Sequence, residues 1–219
     1  MIERRSRGRP KANDLGAIED HLIREASLVF FDKGYGHATM AAVAAAARVS
    51  KTTLYSRFPT KADLFRAMVA KHTAEWGSGA NSTPIETDTS VSELLLAYGD
   101  LAIRAGTSPE FIHINRLLYS ESGRFPELAA IAEERMKLGV EYLTDEIAAR
   151  LQRETGEYRE PREIAELFLT LLSGWLSTAI LTSRLPDSEQ RRAWAHQATE
   201  LFVGAGPLAG KANLNERHL

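Results

Sequence analysis

The sequence predicts an all-α protein, a small N-terminal head followed by a larger C-terminal body, with about nine helices in all. Three observations carry this. Strand-like alternation is nearly absent, Ala, Leu, Glu and Arg dominate, and apolar residues recur at spacings of three and four. A chain of 219 residues can bury a sizeable core, and 44% hydrophobic with 26% charged residues is an ordinary globular composition.

Over residues 14–33, Ile18, Leu22, Ala26, Val29 and Phe30 form one helical stripe, and Gly34 ends it because glycine tolerates positive φ. Thr39 caps a short alanine-rich helix, Met40 to Ala47. Arg48 and Val49 turn the chain, and Ser50 caps a further helix of about two turns that stops near Phe58 and Pro59. Thr60 with Asp63 is a capping-box-like start, Asp standing where Glu or Gln is usual, for a fourth helix to Trp76. The stretch GSGANSTPIETDTS, 77–90, is small, polar and without periodicity, and marks the boundary between head and body. Helices are then expected over 90–105, 109–122 with Ser108 as cap and Pro109 at the first position, 126–153, 161–184 and 188–203. The end from Gly204 reads as a flexible tail.

The net charge of −2 hides a split. Residues 1–61 hold eleven Lys and Arg against six acids, a net +5, and the remainder holds 16 bases against 23 acids, a net −7. A basic head on an acidic body points to a polyanion met by the head alone.

Enzyme readings find little support. There is no cysteine, so disulfides, thiol nucleophiles and cysteine-ligated zinc are excluded. Ser50-Lys51-Thr52 follows AAAARV rather than the glycines a phosphate loop needs. The six histidines show no H-E-x-x-H, and no G-x-S-x-G is present. No metal and no cofactor are expected. No apolar run reaches the roughly 18 residues of a membrane span, so no membrane partner and a cytoplasmic location are expected.

The segment RVSKTTLYSRFPTKADLF is the most informative. Leu54 and Phe58 share one helical face that must be buried, leaving Lys51, Thr52, Tyr55 and Ser56 on the other. So short a helix cannot stand alone in water, and its position depends on the helices before it. Helix, tight turn and helix with an exposed polar face make a helix-turn-helix, a three-helix head of the kind that offers its last helix to a DNA groove.

Residues 39–65, TMAAVAAAARVSKTTLYSRFPTKADLF, resemble the signature of the TetR/AcrR regulators through Val49-Ser50, Leu54-Tyr55, Phe58, Lys61 and Leu64 in register. Arg48 and Thr52 stand where that family often has glycine. The resemblance implies that Thr39, Ser50, Thr53, Tyr55 and Lys61 hold phosphates through hydroxyls, an ammonium group and helix N-terminal amides, while Lys51, Thr52 and Arg57 reach base edges. RGRPK at 7–11 resembles an AT-hook core, in which Arg7 and Arg9 would enter a narrow minor groove, against the plainer reading of a solubilising tail.

For the body the resemblance implies a small-molecule effector cavity in each subunit and a homodimer joined through the last two helices. Leu172, Trp175, Ala179, Trp194, Ala198 and Leu201 are the expected dimer face. Trp76, Phe111, His113, Arg116, Tyr119, Tyr142 and Trp175 are the expected cavity lining. The expected division is therefore a basic arm over 1–13, a helix-turn-helix head over 14–60, a connecting helix over 61–76, a ligand-binding and dimerisation body over 77–203 and a tail over 204–219. The implied activity is that of a repressor released from a pseudo-palindromic double-stranded operator by a ligand. An activator of the same fold and a sequence-indifferent DNA-coating protein are the alternatives.

Overall fold

The computed structural model describes the backbone of residues 12–77, 88–153 and 160–203, with side chains over 16–74, 88–153 and 160–201. Among these residues every regular element is an α-helix: α1 (Ala12–His37), α2 (Met40–Ala46), α3 (Lys51–Tyr55), α4 (Lys61–Gly77), α5 (Val91–Gly106), α6 (Pro109–Glu121), α7 (Pro126–Leu151), α8 (Pro161–Thr182) and α9 (Ser188–Val203). They form two compact units, a head through Lys71 and a body from His72.

In the head, the α1 stripe buries Leu22, Ala26 and Phe30, with Ile18 and Val29 at its margins. Gly34 leaves helical geometry at φ 74, ψ 164, a region that costs a side-chain-bearing residue dearly, and one further turn carries the chain to His37. That kink turns Tyr35 inward, so that Phe30, Tyr35 and Phe65 meet with ring centroids 5.2–5.8 Å apart. Each such ring contributes roughly 1.5–3 kcal/mol by leaving water. Leu64, Phe65, Met68 and Val69 of α4 are all buried, so this helix is part of the head's own core as far as Lys71 rather than only a connection beyond residue 60. Its start is the expected box: Thr60 N–H and hydroxyl donate to Asp63 Oδ2, and Asp63 N–H donates back to Thr60 Oγ1.

In the body, α7 and α8 pack as the principal pair, α5 lies against them and against α9, and α6 rests on α7 and α8. Leu94, Leu95 and Ile103 of α5, Leu143 and Ile147 of α7, and Ile164 and Phe168 of α8 make its core. Helices α6, α7 and α8 each begin with proline, whose missing N–H costs nothing at a helix start. Ser108 caps α6, and Ser90 with Glu93 closes a full capping box on α5. Arg150 is buried near the end of α7; its Nη1 donates to Glu146 Oε2 (2.7 Å) and its Nε to Thr89 Oγ1 (3.2 Å), tying that end to the residues leading into α5.

Helix α8 is apolar almost all round, and the fold divides its residues between two surroundings. Ile164, Ala165, Phe168, Leu169, Leu172, Ala179 and Ile180 enter the body core. Leu167, Leu171 and Leu181 are exposed. By length and composition α8 is long and apolar enough to cross a membrane, yet one face of it is built into the body core. Three of the six residues expected at a dimer face are corrected. Leu172, Ala179 and Ala198 are buried within their own subunit. Trp175 and Trp194 pack against each other at 5.0 Å and against the same core. Leu201 alone of the six is freely exposed, at 64%.

Candidate nucleic-acid interface and body cavity

The turn between α2 and α3 is built from main-chain hydrogen bonds. Val49 N–H reaches Ala44 O (3.0 Å) and Arg48 N–H reaches Ala45 O (3.2 Å), the paired bonds of a Schellman ending with Arg48 in the left-handed position, φ 54. At the other end of α2, Ala42 N–H donates to Thr39 Oγ1 at 3.1 Å. His21 Nε2 donates to Ala47 O (3.0 Å), fastening the turn to α1. Ser50 then caps α3 by accepting Thr53 N–H at 3.0 Å. Regular helix covers only five residues, shorter than the two turns expected, but Phe58 N–H still reaches Leu54 O (2.9 Å), so the second turn is completed outside strict helical form.

Leu54 is fully buried and Phe58 nearly so, while Lys51 and Thr52 are exposed and Tyr55 is 47% exposed. The two-sided helix read from the sequence is therefore present. Lys51, Thr52 and Tyr55 have no side-chain hydrogen bond or ion pair among the described residues. Their face offers an ammonium, a hydroxyl with a methyl, and a phenol, the groups that meet base edges and phosphates.

The remaining head residues that the structure describes make contacts within the head. Ser50 Oγ and Thr53 Oγ1 bond each other at 2.8 Å, and Thr53 N–H is taken by the cap, so this pair keeps one hydroxyl hydrogen to donate. Arg57 is turned back to Glu19 at 2.7 Å, bracing α3 against α1. Lys61 Nζ donates to Tyr35 O (2.6 Å) and Ala38 O (3.2 Å), which satisfies carbonyls left open where α1 ends. Each of these two charges, expected at a base edge and at a phosphate, serves a contact within the head. Arg7 and Arg9 lie outside the described residues.

Within the body a cavity of ≈ 240 Å³ opens where four helices present residues at helical spacing. Tyr98 and Ala102 come from α5, and Phe111, Asn115 and Tyr119 from α6. Helix α7 supplies Ala132, Arg135, Met136 and Gly139, and α8 supplies Leu169, Leu172, Ser173, Leu176 and Ser177. Phe111 and Tyr119 are thus on the cavity wall as read from the sequence. His113 is corrected to the surface, its Nδ1 at 2.7 Å from Pro109 O. Arg116 is also exposed and donates to Ser183 Oγ (3.2 Å). Tyr142 stacks on the outer side of Tyr98 at 6.2 Å, and Trp175 packs on Trp194, neither one a wall residue. The Trp76 side chain lies outside the described residues.

Two polar wall residues escaped the sequence reading. Asn115 is buried, donates to Phe111 O (2.9 Å) and accepts from Arg135 Nη2 (2.8 Å). The Arg135 guanidinium lies over the Phe111 ring at 5.1 Å, and its Nη1 is buried without a partner. Burial lowers the pKa of Arg135, with the neighbouring Tyr119 phenol acting the other way. Tyr119 and Ser177 share a hydrogen bond of 2.7 Å across α6 and α8. An i, i+4 spacing from Phe111 to Asn115 to Tyr119 was visible in the sequence; the opposing Arg135 was not.

Residues 22–68 match the family model for bacterial regulatory proteins of the tetR family, and residues 93–205 match the model for the C-terminal domain of AefR-like transcriptional repressors. No functionally curated protein matches the sequence. Among solved structures, the flavonoid-responsive regulator FrrA is 30% identical, with a TM-score of 0.61, over 85% of this chain and 95% of its own. A TetR-family regulator from Mesorhizobium loti superposes with a TM-score of 0.65 at 22% identity, covering 85% of this chain and 95% of that one. Another, from Syntrophomonas wolfei, reaches 0.72 at 13% identity, covering 86% and 95%.

Proposed function

Because the chain belongs to the TetR family of bacterial regulatory proteins, we propose that it is a homodimeric repressor whose two α3 helices enter successive major grooves of a pseudo-palindromic operator. The fold and family are those of DNA-binding transcriptional regulators rather than enzymes. The observation that carries the reading is the α3 face of Lys51, Thr52 and Tyr55, whose side chains are exposed and make no hydrogen bond or ion pair among the described residues while Leu54 is buried behind them. Thr39 and Ser50, both exposed caps, flank that face with hydroxyls suited to phosphate. Arg7 and Arg9 extend the contact into an adjacent minor groove.

Dimerisation uses the outward stripe of α8. Leu167, Leu171, Gly174, Thr178 and Leu181 alternate at four and three residues, all are exposed, and a Cβ built on Gly174 meets nothing within 4 Å. A narrow apolar seam with small residues suits close approach of the same helix from a second copy. The body cavity holds a small organic effector, and its occupancy favours a state that releases DNA, with α4 as the connecting helix. A cavity of about 150 Å³ accepts benzene, so this one takes a body of about one substituted ring. FrrA, described as flavonoid-responsive, supports an effector of aromatic character.

Selection of duplexes from a random library by the full chain, followed by footprinting, tests the reading. Two half-sites with dyad symmetry, centred about 34–36 Å or somewhat more apart, are expected. Lys51→Ala and Tyr55→Ala should abolish the footprint with the fold intact. Uniform coverage of any duplex, or footprints retained by both variants, would overturn it.

A further inference from the structure

We infer that the molecule held in the body cavity is an organic anion, with a carboxylate-like group against Arg135 and an apolar body of about one ring. This rests on the cavity being the effector site, and adds the charge class of what enters it.

The cavity holds a positive charge without a counter-charge. A guanidinium does not lose its proton in a protein, so Arg135 remains a cation even where burial disfavours one. Its Nη2 is satisfied by a neutral group, Asn115 Oδ1, and its charge is softened by the Phe111 ring, but Nη1 is buried and donates to nothing among the described residues. Among the described residues no Asp or Glu lines the cavity. Burial pushes the Tyr98 phenol up, so it stays protonated and supplies no negative charge. An unpaired charge in such surroundings is strongly unfavourable, and a ligand that neutralises it binds by relieving that cost.

The other wall groups complete an acceptor-binding site. Of the two hydroxyls shared by Tyr119 and Ser177, one hydrogen is spent between them and the other is left to donate. Arg135 and Tyr119 line the same cavity and are electrostatic neighbours, so an oxyanion there meets the guanidinium charge together with one hydroxyl donor, a charge-assisted arrangement. The rest of the wall, with Ala102, Leu169 and Leu176, accommodates an apolar body. A cationic ligand would meet like charge, and a neutral one would leave Arg135 unneutralised.

Titration calorimetry on the full-length protein tests this with isosteric pairs: benzoate against benzamide, and 3-phenylpropionate against 3-phenylpropionamide. The carboxylates should bind at least about ten-fold more tightly, as expected for a charged over a neutral hydrogen-bonding partner. Arg135→Gln should bring carboxylate affinity down to that of the amide, with an unchanged far-ultraviolet circular dichroism spectrum as the check on folding. The comparison of the pairs on the unsubstituted protein needs no variant. Equal or tighter binding of the amides, carboxylate affinity retained in Arg135→Gln, or no carboxylate binding at millimolar concentration would overturn the inference. Arg135-dependent carboxylate binding that leaves DNA affinity unchanged would keep the anion site and remove the effector reading. Amide binding equal to carboxylate that nevertheless releases DNA would do the reverse.

Discussion

Lys61 Nζ lies 2.6 Å from the carbonyl oxygen of Tyr35 and 4.2 Å from the centroid of that residue's ring. One ammonium therefore closes the open end of α1 and covers an aromatic face of the head core. A lysine that stands in the register of a phosphate contact is here part of the framework on which α3 sits.

Lys61→Met separates the two roles. Losing charge-assisted bonds to Tyr35 O and Ala38 O should destabilise the head by about 1–2 kcal/mol, seen as a lower urea midpoint. The slope of log affinity for DNA against log salt should not change. A fall in that slope by about 1 would show that the ammonium also holds a phosphate.

Arg48 occupies the left-handed position between α2 and α3, φ 54, where a side chain adds steric cost. Arg48→Gly should therefore raise stability by about 1 kcal/mol, read from thermal melting. No gain would mean that the arginine side chain makes up for the backbone cost through contacts elsewhere in the head.

The stripe on α8 predicts which substitutions separate subunits. Leu171→Glu and Leu181→Glu should give folded monomers by light scattering, because both residues face outward. Ala198→Glu should instead unfold the body, at a cost of several, roughly 3 or more, kcal/mol, since it forces a charge into the subunit core. Dimers that survive both leucine substitutions would move the twofold contact to another surface.

Glu93 links stability to acid. Hydrogen bonds from the Ser90 backbone N–H (2.9 Å) and hydroxyl (2.8 Å) hold its carboxyl below the usual range. A group whose folded pKa is depressed contributes fully above its unfolded pKa, and that contribution is lost as pH falls through the folded value. Melting temperatures of the wild type and Glu93→Gln should accordingly differ at neutral pH and converge in acid. Parallel curves across that range would show that the cap contributes through shape alone.

What could be read in the sequence was what depends on near neighbours in the chain. Thr39, Ser50, Thr60 and Ser108 announce helix starts within three residues, and Leu54 with Phe58 fixes the buried side of α3 by its own periodicity. Ser90 and Glu93 carried the same signal and went unread. Partners distant in the chain were invisible: Lys61 is 26 residues from Tyr35, and Arg57 is 38 from Glu19. The body was hardest for a related reason. A helix apolar all round gives no phase, so Leu172 and Ala179 could not be told from Leu171 and Leu181 until α5 and α7 were packed against one side. Arg135 carries no signal in the sequence, because only the fold brings Asn115 and Phe111 to it.

That the side chains of Lys51, Thr52 and Tyr55 make no hydrogen bond or ion pair among the described residues has an evolutionary consequence. None of the three holds another part of the head in place, so each can be exchanged singly while Leu54 keeps the helix seated. A duplicated gene could drift toward new genomic addresses along these positions with folding undisturbed. Changes at Arg57 or Lys61 would first have to survive the loss of a brace.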